Sequence, residues 1–143
     1  MPYRHTQRGT WIVIPCLGFA ALDAGVAWQT GQWLPVAVLV LLITVAILFS
    51  SLTTEVNESE IRWHFGPGLW AYRLSFSEIE CACLVRNQWW NGWGIRTAPG
   101  FRLYNVSGLD AVELRLKSGE VRRIGTDDPQ ALAAALKAAA GVP

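Results

Sequence analysis

Charged side chains are nearly missing from the first third of the chain. Between Gly9 and Thr54 the single one is Asp23. A segment so poor in charge cannot present the surface of an ordinary soluble domain, where polar residues recur along every element. Cysteine is also scarce, with three residues (Cys16, Cys81 and Cys83), and no framework of paired spacings appears. That excludes a disulfide scaffold. Two histidines, His5 and His64, are too few and too far apart for a His-based metal centre. The chain has no basic surplus either. From Thr53 onward ten Lys and Arg balance ten Asp and Glu, so this portion has net charge zero. Binding to a phosphate backbone requires an excess of positive charge, so nucleic acid is excluded as a partner.

What fills the charge-free segment is aliphatic. Trp33–Leu52, WLPVAVLVLLITVAILFSSL, is an almost unbroken run of Val, Leu and Ile. A helix needs about 20 apolar residues to cross a bilayer, and this run supplies them. A second run, Trp11–Trp28, is about 18 residues long, and only Gln29–Gln32 separates the two. Helices joined so tightly must be antiparallel neighbours, so the pair predicts a transmembrane hairpin with spans near 11–28 and 33–52. Trp28 and Trp33 mark one headgroup level and Trp11 the other. Against a signal peptide ending near Ala20–Ala21 stand the tryptophans at both ends and the second span that follows at once. Arg4 and Arg8 precede the first span, the turn has no basic residue, and Arg62 is the first after it. This bias predicts a cytoplasmic tail over 1–10, the turn outside, and the C-terminal domain in the cytoplasm. Asp23 is an intramembrane polar candidate. Its depth, five residues or about 7.5 Å from Trp28, favours a carboxylate satisfied at the turn by Gln29, Gln32 or water. Gly18, Ala21 and Gly25 share a helix face that suits packing against the second span or another copy.

After Thr53 the period changes from helical to two. Ile61, Trp63 and Phe65 alternate with Arg62 and His64; Trp70, Tyr72, Leu74 and Phe76 alternate with Ala71, Arg73 and Ser75. Cys81, Cys83 and Val85 alternate with Glu80, Ala82 and Arg86, and Val112, Leu114 and Leu116 alternate with Glu113, Arg115 and Lys117. Such alternation predicts half-buried antiparallel strands, seven in all, near 53–57, 60–65, 69–76, 80–86, 101–106, 111–116 and 121–125. Turn-formers between them, such as Gly66-Pro67-Gly68 and Ser118-Gly119, predict a meander. One helix follows over 129–140. Asp127 or Asp128 caps it, Pro129 opens it, and Leu132, Ala135, Leu136 and Ala139 give it a narrow apolar stripe.

Seven strands followed by one helix is the element order of a pleckstrin-homology-like (PH-like) fold. The segments Gly92-Trp93-Gly94-Ile95-Arg96, Tyr104-Asn105-Val106-Ser107-Gly108, Val112-Glu113-Leu114 and Ile124-Gly125-Thr126-Asp127-Asp128-Pro129 resemble those of small bacterial membrane proteins. These carry a transmembrane hairpin and a bacterial PH-like domain. The resemblance implies an α+β membrane protein: a two-helix hairpin over 11–52, then a seven-stranded antiparallel PH-like barrel or sandwich over 53–143 capped by the last helix. It implies a multi-pass protein of the bacterial inner membrane, and no enzymatic activity.

The most unusual segment is Arg86–Gly100, RNQWWNGWGIRTAPG, expected to join the fourth and fifth strands. Exposed Trp with Arg is the composition of an interaction hot spot and, beside a bilayer, of an interfacial anchor. Trp89, Trp90, Trp93 and Arg96 are the interaction candidates, with Arg96 suited to a headgroup or a partner's carboxylate. Trp93 and Ile95 could instead pack into the barrel. No catalytic constellation, cofactor motif or metal-ligand pattern is present, and both barrel thiols are expected to be buried. The chain therefore reads as an integral membrane protein presenting a non-catalytic protein- or lipid-interaction module. Alternatives are a structural subunit of a membrane homo-oligomer, or a membrane enzyme acting on a lipid through Asp23 or His64. The expected partners are the lipid bilayer and a protein or a second copy.

Overall fold

A computed structural model describes residues 2–143. The chain begins with a strand, β1 (Tyr3–Arg8), where a tail was expected. It then forms α1 (Thr10–Thr30) and α2 (Trp33–Leu48), joined by Gly31, which adopts φ 61°, and Gln32. Three strands follow, β2 (Ser51–Val56), β3 (Glu60–Phe65) and β4 (Ala71–Ser75). A 3-10 turn at Phe76–Glu78 leads to β5 (Ile79–Arg86). After a second such turn at Trp89–Asn91 come β6 (Gly94–Ala98), β7 (Phe101–Asn105), β8 (Asp110–Leu116) and β9 (Val121–Gly125). The last element is α3 (Pro129–Ala140).

Among the described residues the strands number nine, not seven, and form two separate sheets in the orders β1-β2-β3-β4 and β5-β8-β9-β7-β6. The first sheet is a meander. The second is not, because β7 pairs parallel to β9, which places the β6–β7 hairpin at one edge of the sheet. Burial explains the placing. β8 is buried at most of its residues and sits inside the sheet, whereas β6 exposes Ile95, Arg96 and Thr97 and takes an edge. The core lies between the two sheets and α3. Trp63 and Tyr104 are at its centre, with ring centroids 5.2 Å apart. Leu132 and Leu136 of α3 enter it fully buried, as the apolar stripe of that helix requires. Asp128 caps α3 by accepting a bond from the Ala131 amide.

The helical pair is inserted between two neighbouring strands. β1 pairs antiparallel with β2 in continuous register from Tyr3↔Val56 to Arg8↔Ser51. The Gly9 amide then donates to the Ser50 carbonyl at 2.8 Å, which brings the start of α1 and the end of α2 to one level. Only glycine fits at position 9, since a Cβ there would overlap the Phe49 carbonyl oxygen. Phe49 turns away from the helices and packs on Phe65 at 5.2 Å.

The second apolar run therefore ends as a helix at Leu48, four residues early. Leu52 is apolar for a different reason: it is 1% exposed in the β core. α1 has 21 residues and is about 31 Å long, enough for a hydrocarbon core of about 30 Å. α2 has 16 residues and is about 24 Å long. One helix, near the N-terminus, is thus long and apolar enough to cross a membrane. Only 6% of its most apolar window is buried, so it is not the core helix of a globule. The two helices pack on each other, and Ala20 and Ala46 are their buried residues. Their hydroxyls close bonds within the helix, from Thr30 to the Val26 carbonyl (2.9 Å) and from Thr44 to that of Val40 (2.7 Å).

Candidate interaction site at the root of the helices

Three loops of the β domain gather where α1 and α2 enter it. The β3–β4 loop packs under α2. Gly66 has φ 48°, its amide donates to the Ser51 carbonyl (2.8 Å), and a Cβ there would stand 2.6 Å from the Ile47 and Leu48 carbonyl oxygens. The loop continues into Leu69 and Trp70, which are exposed. Trp70 was expected inside a strand; it precedes β4 instead, and Leu74 is the buried residue of that strand.

The β5–β6 loop packs on α1. Trp93 does not enter the core. It stacks on Trp11 with ring centroids 5.6 Å apart and planes 3° from parallel, and its Nε1 donates to the Gly108 carbonyl at 3.0 Å. Ile95 likewise stays outside, 37% exposed. Trp89 and Trp90 sit edge to face at 5.8 Å and are 70% and 66% exposed. Arg96 is exposed and donates from Nε to the Trp93 carbonyl (3.1 Å), which lays it along the same loop. Trp89, Trp90 and Trp93 thus occupy one loop and Arg96 the strand that follows it, with Trp93 fastening the loop to α1.

The β7–β8 turn is the third element. Asn105, 1% exposed, donates from Nδ2 to the Gly108 carbonyl (3.0 Å) and accepts from the Ser107 amide (3.2 Å). Gln7 of β1 donates to the Ser107 carbonyl at 2.8 Å. Asn105 fits because the residue across from it is Gly125, where any Cβ would overlap its side chain. Two segments distant in sequence, around Asn105 and around Gly125, therefore meet and hold this turn in place. Sequence reasoning missed that junction; the signal was a lone Gly at the end of a strand.

Asp23 lies elsewhere. It is thirteen residues beyond Thr10, about 20 Å along α1, half-buried in the seam with α2. Its Oδ2 is buried and has no partner among the described residues, so neither Gln29 nor Gln32 caps it. His64 is on β3, half-buried against Gly68, and the two do not converge on one point. His5 of β1 meets Asp127 ahead of α3. The helix face of Gly18, Ala21 and Gly25 does not pack on α2: a Cβ at either glycine would touch nothing within 4 Å.

Cys81 and Cys83 are not buried in the core, contrary to expectation. A bulge between Ile79 and Cys81 shifts the register of β5 against β8. Ala82, not the thiols, then packs against the core. Burial pushes the Cys81 thiol up, with neighbouring Cys83 adding to it, so the thiolate is disfavoured. Among the described residues no three His, Cys, Asp or Glu side chains come together as a metal site would need.

The densest charged cluster is on the outer face of the second sheet. Glu113, its side chain 7% exposed, accepts from Arg123 Nε (2.8 Å) and Arg115 Nε (3.1 Å). Arg123 also donates to Asn87 Oδ1 (3.1 Å) and lies 3.7 Å over the Phe101 ring. Burial works to raise the Glu113 carboxyl, but the bonds from both arginines outweigh it and hold it below the ordinary carboxylate range. A nearby open cleft of about 490 Å³ is lined by Glu80, Phe101, Arg115 and Val121 among others. Two arginines thus share one carboxylate, which ties β9 to β8 and leaves the cluster with one net positive charge.

No protein-family model fits the chain, and no curated protein is significantly similar to it.

Proposed function

We propose that this chain is an integral membrane protein whose helical pair crosses the bilayer and whose β domain is a PH-like module for contact with protein or lipid, without turnover. One observation carries the reading. Away from their shared seam α1 and α2 expose large apolar side chains, among them Leu17, Leu22, Val40 and Leu41, and none of the described residues covers them. In water that surface would far exceed the patch a soluble monomer tolerates. In lipid it is the required solvent face, and the self-bonded hydroxyls of Thr30 and Thr44 suit it. The shared root at Gly9 and Ser50 argues that α2 returns over the height α1 climbs. Because β1 is part of the domain's own sheet, the N-terminus and the domain share one side of that membrane. Arg4 and Arg8 favour the cytoplasmic side. A cleaved signal sequence is disfavoured, since cleavage would remove β1.

The PH-like assignment is supported by two sheets enclosing one core with a C-terminal helix against it. The seven strands expected from the sequence correspond to β2–β5 and β7–β9, and β1 and β6 are additional. The sheets are open, so this is a sandwich and not a closed barrel.

Sidedness tests the crossing. In a chain with Cys16, Cys81 and Cys83 replaced by Ser, Thr30→Cys and, separately, Glu58→Cys are exposed to an impermeant maleimide in sealed vesicles. One is expected to label from outside and the other only after permeabilisation; labelling of both from the same face overturns the crossing. The interaction role is tested by pull-down from detergent with Trp89→Ala/Trp90→Ala/Arg96→Ala, and unchanged partners with unchanged lipid binding would remove that loop from the account.

A second reading, a homo-oligomeric subunit, is favoured by the open face of Gly18 and Gly25. A strictly monomeric mass in detergent ends it.

A further inference from the structure

Among the described residues outside the two long helices, six large apolar side chains are exposed: Leu69, Trp70, Leu84, Trp89, Trp90 and Ile95. Their distribution is lopsided. All but Leu84 belong to the two stretches that flank the root of the helices. Leu69 and Trp70 follow Gly66, which touches the end of α2. Trp89, Trp90 and Ile95 bracket Trp93, which stacks on Trp11 at the start of α1. Gly94 is close to Phe49, the residue that ends α2; a Cβ there would be 3.7 Å from the Phe49 ring. Arg8 and Arg96 stand in the same zone; like Arg73 and Arg102, they enter no ion pair among the described residues, whereas the other six arginines do.

We infer that these loops form a collar that seats the β domain on the bilayer surface, with the Trp and Leu side chains at the headgroup level and Arg8 and Arg96 offered to lipid phosphates. This rests on the reading that the helical pair is in the bilayer, and it names lipid as the partner of the Trp-rich loop. The chemistry is specific to that layer. A Trp has an apolar ring and a polar N–H, and the headgroup zone satisfies both, which neither water nor hydrocarbon does. Free arginines beside the rings match anionic headgroups. The occupant is fixed by continuity: the loops touch the first residues of α1 and the last of α2, so any lipid solvating those ends also meets the collar. A domain held at two loops and two helices cannot pivot, and its far end, with α3 and the β2–β3 turn, is the one left for a protein.

The test uses the full chain, free of native cysteines, in phosphatidylcholine–phosphatidylglycerol vesicles. Spin labels are attached at Leu69→Cys and Gln88→Cys, which leave every collar Trp in place. Reference labels are at Leu41→Cys on α2 and Lys137→Cys on α3. Relaxation by oxygen, which enters lipid, is compared with relaxation by a water-soluble nickel chelate. Leu69 and Gln88 labels are expected to have an oxygen-to-nickel ratio severalfold above that at Lys137 and below that at Leu41. Ratios equal to that at Lys137, with Leu41 in lipid, overturn the collar while leaving the membrane reading intact. A water-like Leu41 label overturns both. Shielding of the collar labels from both reagents means a protein covers them and also overturns the collar. Arg8→Gln/Arg96→Gln is expected to lower the collar ratios in the anionic vesicles but not in pure phosphatidylcholine; an equal change in both removes the headgroup contact.

Discussion

At the scale of single residues, two side chains that looked ordinary in the sequence hold the domain together. Glu113 reads as a solvent-facing strand residue by alternation, and its direction is indeed outward. What alternation cannot give is the register that sets Arg123 directly across from it. Its lowered carboxyl means a stabilisation fully present above the unfolded value of about 4.3 and lost as pH falls through the lower folded one. Acidification into that range is therefore expected to lower the melting temperature of the parent chain more than that of Glu113→Gln. At neutral pH Glu113→Gln itself should cost about 1.5–3 kcal/mol, the worth of charged hydrogen bonds, measured by thermal unfolding in detergent. Gly125→Ala forces its methyl into Asn105 and should cost about 1–3 kcal/mol. Because Asn105 holds the turn that accepts the Trp93 indole, the same variant should loosen Trp93 from Trp11, visible as a change in tryptophan fluorescence.

At the scale of elements, legibility followed how much apolar contrast each one has. β3, β8 and α3 were readable because a buried face alternates with a wet one and caps stand at the right places. β1 was not, since Tyr3-Arg4-His5-Thr6-Gln7-Arg8 has one apolar residue; its inward positions include Gln7, whose bond to Ser107 does what burial of an aliphatic would do elsewhere. β6 was hidden because it is wet on nearly every residue. The end of α2 was overrun because the apolar run passes without a break from an exposed apolar helix to a core-facing strand. β5 was assigned the wrong inner face because a bulge inverts its parity after Ile79. The root itself was partly visible: the Trp-rich loop stood out by composition, but its attachment to Trp11 is a contact between segments some eighty residues apart. Gly18→Leu belongs to this scale. Its face is open, so unfolding in detergent should shift by no more than about 0.5 kcal/mol. If a second copy packs there, the oligomer mass should fall to that of a monomer.

At the scale of the whole molecule, a pair of antiparallel helices replaces the loop of a β-hairpin. Deleting residues 2–8 is expected to cost at least about 3 kcal/mol, at roughly 0.5–1.5 per ladder bond lost; a dispensable tail would cost nothing. The arrangement also sets an order of events during synthesis. β1 leaves the ribosome ahead of the helices, and its partner β2 emerges only after both of them. On the membrane reading proposed above, the sheet must wait until the helical pair has been threaded. A chain that threads one helix and leaves the other behind strands β1 and β2 on opposite faces of the bilayer, where they can never pair. On that reading correct insertion is a precondition of folding, and a misthreaded chain marks itself for disposal by the edge it leaves bare.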